Sequence, residues 1–121
     1  MTKTFTQTKI IAANESAVAM GSGTLRVWGT PAMVAFMENT TLQLLELPEG
    51  KTSVGVKIEA QHLKAVAIGE SVTCTAVITK TGGTKIIFDI EVKNAKGEVV
   101  GLAMHERHIV DIETFMKNIN S

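Results

Sequence analysis

Three side chains combine reactive chemistry with informative positions: Thr30, Glu38 and His62. A hydroxyl can attack a carbonyl, an imidazole takes a proton near neutral pH, and a carboxylate can orient that imidazole, activate water or itself attack. Each also has a plainer reading. Thr30 precedes Pro31, and a threonine before a first-turn proline is a favoured helix cap, which explains the hydroxyl without catalysis. Glu38 ends the apolar run Ala32-Met33-Val34-Ala35-Phe36-Met37. A carboxylate there is paired, protonated or turned to a cleft, or else the helix has already reached the surface. His62 ends a strand face shared with Val54, Val56, Ile58 and Ala60, where a lone histidine also serves as a satisfied core or rim residue.

Other constellations fall away. His105-Glu106-Arg107-His108 suggests a metal, but on a regular strand residues 105 and 108 point to opposite faces, so no zinc site is expected. Gly21-Ser22-Gly23-Thr24 has no following lysine and no parallel βαβ unit around it, which argues against a phosphate loop. No Gly-x-Ser-x-Gly elbow occurs. Cys74 is the sole cysteine, so an intrachain disulfide and a cysteine-based zinc site are excluded. Twelve Lys and Arg balance twelve Asp and Glu, and only Arg26 and Arg107 are arginines, which argues against nucleic acid or a membrane surface as partner.

The elements that must position these groups follow from periodicity. With 121 residues, 45% of them apolar, the chain is long enough for one domain over 1–121 and too short for two. A first strand is expected from Thr4 to Ala12, a short helical turn within Glu15–Met20, and a brief strand over Thr24–Trp28. A helix is predicted from Pro31 to Leu47, stopped by Pro48-Glu49-Gly50, and its first two turns are apolar all round, as in a buried helix. Four strands follow: Thr52–His62, Ser71–Thr81, Thr84–Lys93 around the Gly82-Gly83 turn, and Glu98–Val110. A last helix capped by Asp111 should bury Ile112, Phe115 and Ile119 on one face. One long buried helix followed by an antiparallel meander is α+β, and the hotdog fold is the best-known architecture of that description. Its long strands would expose an edge, so edge-to-edge homodimerisation is expected. No apolar run approaches the roughly 18 residues of a membrane span, and Met1–Thr6 carries no apolar leader, so a cytoplasmic location is expected.

Taken together, Met20-Gly21-Ser22-Gly23, Thr30-Pro31-Ala32-Met33-Val34-Ala35-Phe36-Met37-Glu38, Val54-Gly55, His62 and His105-Glu106-Arg107 resemble the fluoroacetyl-CoA thioesterase family of hotdog-fold acyl-CoA thioesterases. The similarity runs from about Ala19 to the C-terminal helix. The resemblance implies that Thr30, Glu38 and His62 are the catalytic threonine, glutamate and histidine, and that the Gly55 backbone N–H helps hold a thioester carbonyl. It implies acyl-CoA as substrate and no metal or cofactor, CoA being part of the substrate. The aromatic lid of the fluoroacetyl-selective enzyme is replaced here by Gly21 to Trp28, so the chemistry is implied but fluoroacetyl selectivity is not.

The spacing of the candidates carries its own constraint. Thr30 and Glu38 are eight residues apart, about 12 Å along a straight helix, and cannot touch within it. They could meet one substrate only if it spans that length or if one of them comes from a partner subunit, and a site shared across a dimer interface suits this constraint. Met33, Phe36 and Met37 near the helix start are the candidates to line the acyl end. The expectation is hydrolysis of a small or medium acyl-CoA by a homodimer; the rival is a non-catalytic acyl-CoA or acyl-carrier binding module on the same fold.

Overall fold

The structure, a computed structural model, describes residues 3–121. Strands β1 (Thr4–Ile10), β2 (Lys51–His62), β3 (Ser71–Gly82), β4 (Lys85–Asn94) and β5 (Val99–Asp111) form one antiparallel sheet, and helices α1 (Thr30–Leu42) and α2 (Ile112–Ile119) complete an α+β hotdog domain. The sheet order is β1-β3-β4-β5-β2. Only β3, β4 and β5 form the expected meander. β2 pairs with β5 and not with its successor, so residues 63–70 carry the chain back across the domain. That connection is tied down where Trp28 N–H donates to Val66 O at 2.8 Å. The brief strand expected over Thr24–Trp28 reduces to two isolated bridges, Ser16 with Trp28 and Val27 with Ala67.

Alternation on the strands builds the core. β3 turns Val72, Cys74 and Ala76 inward, β4 adds Ile86, Phe88, Ile90 and Val92, and α1 answers with Met33 and Met37, both wholly buried. Burying side chains of this size contributes about 1.5–3 kcal/mol each. Gly101 on β5 lets the helix approach closely, since a Cβ there would stand 2.6 Å from Met33 Sδ.

Helix α1 departs from expectation at both ends. Gly29, not Thr30, is the cap residue, and it makes no side-chain cap bond. A Cβ on Gly29 would lie 3.2 Å from the Ala17 Cα and from the Glu15 carbonyl, so this crossing favours glycine and moves Thr30 into the first turn. The helix stops at Leu42 and not at Leu47. Thr40 and Thr41 turn their hydroxyls back onto the carbonyls of Phe36 and Glu38 at 2.7 and 2.6 Å, a geometry that weakens a helix, and Leu44 then folds into the core at 1% exposure. Nor is α1 buried on every side: Ala35 is exposed and Val34 half-buried, because only one side meets the sheet.

Asp111 caps α2 as expected, its carboxylate accepting from Thr114 N–H at 3.1 Å. The predicted buried face of α2 is not buried in the single chain. Ile112 is 42% and Ile119 60% exposed, because the helix hangs from the end of β5 and does not lie across the sheet. No helix among the described residues is long and apolar enough to cross a membrane.

Candidate active site

One stripe of α1 faces the edge strand β2. Thr30, Val34 and Glu38 recur every four residues, the spacing that aligns side chains along a helix. The two polar ends of the stripe each find partners on β2 or beside it, and the two meeting points are separate.

At the first, Thr30 Oγ1 and His62 Nδ1 are hydrogen-bonded at 2.8 Å. The imidazole stands edge-on to Trp28, with ring centres 6.2 Å apart. Its Nε2 is buried and has no hydrogen-bond partner among the described residues. Burial pushes the His62 imidazole below the ordinary histidine value, with the Lys64 backbone acting the other way. The ring is therefore neutral at neutral pH and able to accept a proton. A groove of about 270 Å³, bordered by Ala17, Ser22, Leu63 and Lys64, opens onto this pair.

At the second, the half-buried Glu38 carboxylate lies over Gly55. A Cβ on Gly55 would stand 3.2 Å from Glu38 Oε2, 3.1 Å from His105 Cε1 and 3.3 Å from Arg107 Nη1, so the glycine makes the seat for the carboxylate. Arg107 is buried below. Its Nε–H donates to Ser53 Oγ at 2.8 Å and Nη2 to the Ser53 carbonyl at 3.1 Å. Nη1 lies 3.1 Å from His105 Nε2, while His105 Nδ1 meets the Lys57 carbonyl at 2.8 Å. Glu38 Oε2 is 3.8 Å from His105 Nε2 and 3.9 Å from Arg107 Nη1. Burial lowers the His105 pKa; the Lys57 carbonyl opposes this and the Arg107 charge reinforces it.

The expected face of β2 does not run its full length. Against β5 the register slips between Gly55 and Lys57, a one-residue bulge at Val56. Ser53 and Gly55 turn inward before it, and Ile58, Ala60 and His62 turn inward after it. Val54 and Val56 therefore do not share His62's face, and Val56 is 52% exposed. One extra residue reverses the alternation of every side chain beyond it.

The structure thus brings Thr30 to His62 and Glu38 to Gly55. Along β2, Gly55 and His62 are separated by on the order of 20 Å, so the two pairs do not meet within one chain. Met33 and Met37 have no exposed surface in the single chain and pack beside Gly101. Phe36 is 8% exposed, lines a groove against β1 with Gln7 and Lys9, and has Lys9 Nζ 5.6 Å from its ring centre. His105 faces inward and His108 outward, where it pairs with Glu106 at 2.8 Å. Sequence reasoning assigned no role to Ser53, His105 or Arg107. The signal was the two-residue period of β5, which puts His105 and Arg107 on the face of Ala103 and Ile109 and so forces an arginine inward, where it needs partners.

Among solved structures, the fluoroacetyl-CoA thioesterase FlK matches with a TM-score of 0.92 at 21% identity, covering 98% of this chain and 93% of that one. A variant of that enzyme in complex with fluoroacetate and CoA matches at 0.85 and 22%, covering 93% and 96%. A thioesterase superfamily member from Thermus thermophilus matches at 0.89 and 22%, covering 97% and 88%. At these identities the likeness establishes the hotdog fold. No protein in the curated set matches in sequence. The family model described as fluoroacetyl-CoA-specific thioesterase, FlK, matches residues 11–113, a span that holds Thr30, Glu38, Gly55, His62, His105 and Arg107. By that match over most of its length, the chain belongs to the fluoroacetyl-CoA-specific thioesterase family.

Proposed function

We propose that this protein hydrolyses acyl-CoA thioesters carrying small or medium acyl groups, in sites assembled by two copies of the chain. The Thr30–His62 hydrogen bond at 2.8 Å carries the reading. It joins a hydroxyl to a neutral imidazole, the arrangement that activates an oxygen nucleophile. Thr30 Oγ1 gives its proton to His62 Nδ1 and attacks the thioester carbonyl carbon, while the Gly55 N–H steadies the oxyanion. The C–S bond then breaks, and the CoA sulfur leaves with the proton from His62. Water activated by Glu38 clears the acyl-threonine ester and restores the hydroxyl.

Glu38 and Gly55 reach this chemistry from the second copy. Strand β2, 12 residues long, is an edge of the sheet with no neighbouring strand on one side among the described residues. Antiparallel pairing of two β2 strands, with Gly55 of one opposite His62 of the other, closes both edges and brings Glu38 to the opposing Thr30–His62 pair.

The primary test is release of free thiol from acetyl-CoA and butyryl-CoA by purified protein. Binding without release would identify a carrier module and overturn the proposal. Subunit sharing has its own test. Mixed and re-equilibrated Glu38→Gln and His62→Ala dimers should recover roughly a quarter of wild-type turnover, because half the dimers are mixed and each of these has one intact site. No recovery would place the whole site in one chain. In Glu38→Gln alone, a burst of one thiol per site with a persistent acylated protein mass is expected. A slow release with no acylated species would show that water attacks directly.

A further inference from the structure

The cluster below Glu38 contains a histidine that the mechanism above does not use. His105 is 1% exposed and stacks on Phe88 with ring centres 6.3 Å apart. Its Nδ1 faces a backbone carbonyl, that of Lys57, at 2.8 Å. A carbonyl only accepts, so Nδ1 carries the proton and Nε2 is the bare nitrogen. Nε2 therefore accepts from Arg107 Nη1–H, 3.1 Å away, and offers no proton to Glu38. Arg107 is held at three points, two on Ser53 and one on His105, and the nearest carboxylate to its charge is Glu38.

The other end of the imidazole acts on the backbone. Lys57 is the residue at which the β2 register resumes after the bulge, and the bulge decides that Gly55 faces Glu38. One ring therefore ties the bulge to the guanidinium. Resting on the reading of Glu38 as a catalytic group, we propose that His105 is a positioning residue for Glu38, fixing the Arg107 guanidinium and the bulged turn of β2 beneath its carboxylate. Fixing a reacting group matters because a misplacement of about 1 Å costs on the order of a hundredfold in rate.

The test is a double-mutant cycle on thiol release from acetyl-CoA. His105→Phe keeps the stacked ring and removes both hydrogen bonds. Its kcat should fall roughly 10- to 100-fold with KM changed less than about twofold. In a Glu38→Gln background the same change should cost severalfold less, because His105 acts mainly through the carboxylate and only the smaller effect of the bulge on the Gly55 N–H remains. Ser53→Ala, which frees one anchor of Arg107, should follow the same pattern with a smaller loss, and it carries the test if His105→Phe does not fold. His105→Asn places an amide N–H near the Lys57 carbonyl and should recover part of the loss. Full kcat in His105→Phe and Ser53→Ala overturns the proposal. An equal fall in both backgrounds also overturns it and leaves the site reading standing. Wild-type turnover in Glu38→Gln overturns the site reading, and this inference with it.

Discussion

Gly55→Ala tests the seat of the carboxylate most directly. Gly55 has no left-handed φ, so alanine fits the backbone. The new methyl group would meet His105 at 3.1 Å, Glu38 at 3.2 Å and Arg107 at 3.3 Å, each a few tenths of an ångström too close. Two of the three neighbours are pinned. His105 is bonded to Lys57 and Arg107 to Ser53, whereas the Glu38 carboxylate makes no contact shorter than 3.8 Å to either and its side chain is 39% exposed. Glu38 is therefore the group that gives way. Overpacking costs about 1–3 kcal/mol, and replacing a strand glycine returns about 0.5–1 kcal/mol, so the net loss should be about 1 kcal/mol. For a domain of this size that lowers Tm by about 4 °C. Activity should suffer far more, roughly 10- to 100-fold in kcat, since the carboxylate leaves its place. Thiol-release kinetics beside a thermal melt decide the matter. An unchanged kcat, or a Tm fall large enough to explain the loss by unfolding, refutes the reasoning.

Replacing His62 with Ala should lower turnover at least ~100-fold with the fold retained, the usual contribution of a positioned base, and Thr30→Val should be more severe than Thr30→Ser; near-normal rates in His62→Ala and Thr30→Val would remove both residues from the chemistry. Burial holds His62 and His105 below the histidine reference of 6.5. As pH falls below about 6.5 the unfolded chain takes up protons that the folded chain refuses, so stability should be level above that pH and decline below it, well before the carboxylates titrate. Melting curves between pH 8 and 5 should show this, less steeply in His62→Gln, and a flat profile would contradict it. Selectivity should be weak. The turn at Gly21–Thr24 is exposed and carries no aromatic cover, so fluoroacetyl-CoA should show little advantage over acetyl-CoA. Preference among aliphatic acyl groups should be gradual, about 0.8 kcal/mol per buried methylene. A fluoroacetyl preference in kcat/KM above roughly a thousandfold, some 4 kcal/mol, would show that selectivity needs no aromatic lid.

Local order was legible wherever one short-range force dominates. The strands from Lys51 to Asp111 follow from two-residue alternation broken by Gly82-Gly83 and Asn94 to Gly97, and the Asp111 cap follows from side-chain chemistry alone. Thr30, Glu38 and His62 stood out by type and position, each with a plainer reading beside it, and the family resemblance grouped them and added Gly55. Which of them meet was not legible, since contact depends on how β2 sits against α1 and β5. Thr30 falls inside the first turn and Gly29 takes the cap, where the chain near Ala17 crosses so closely that a Cβ would be tight against backbone. The face of Gly55 depends on a bulge at Val56, a single extra residue that no periodicity announces and that β5 exposes by its register. The Ser53–Arg107–His105–Lys57 network joins residues about fifty positions apart, and its geometry follows from strand pairing. Residue types and their periods therefore determined the elements and the reactive groups. Spacing along the helix already held Thr30 and Glu38 apart; long-range packing decided that Thr30 meets His62 and Glu38 meets Gly55, because distances between elements are set by the sheet register and the close approach of α1, which no local stretch of sequence encodes.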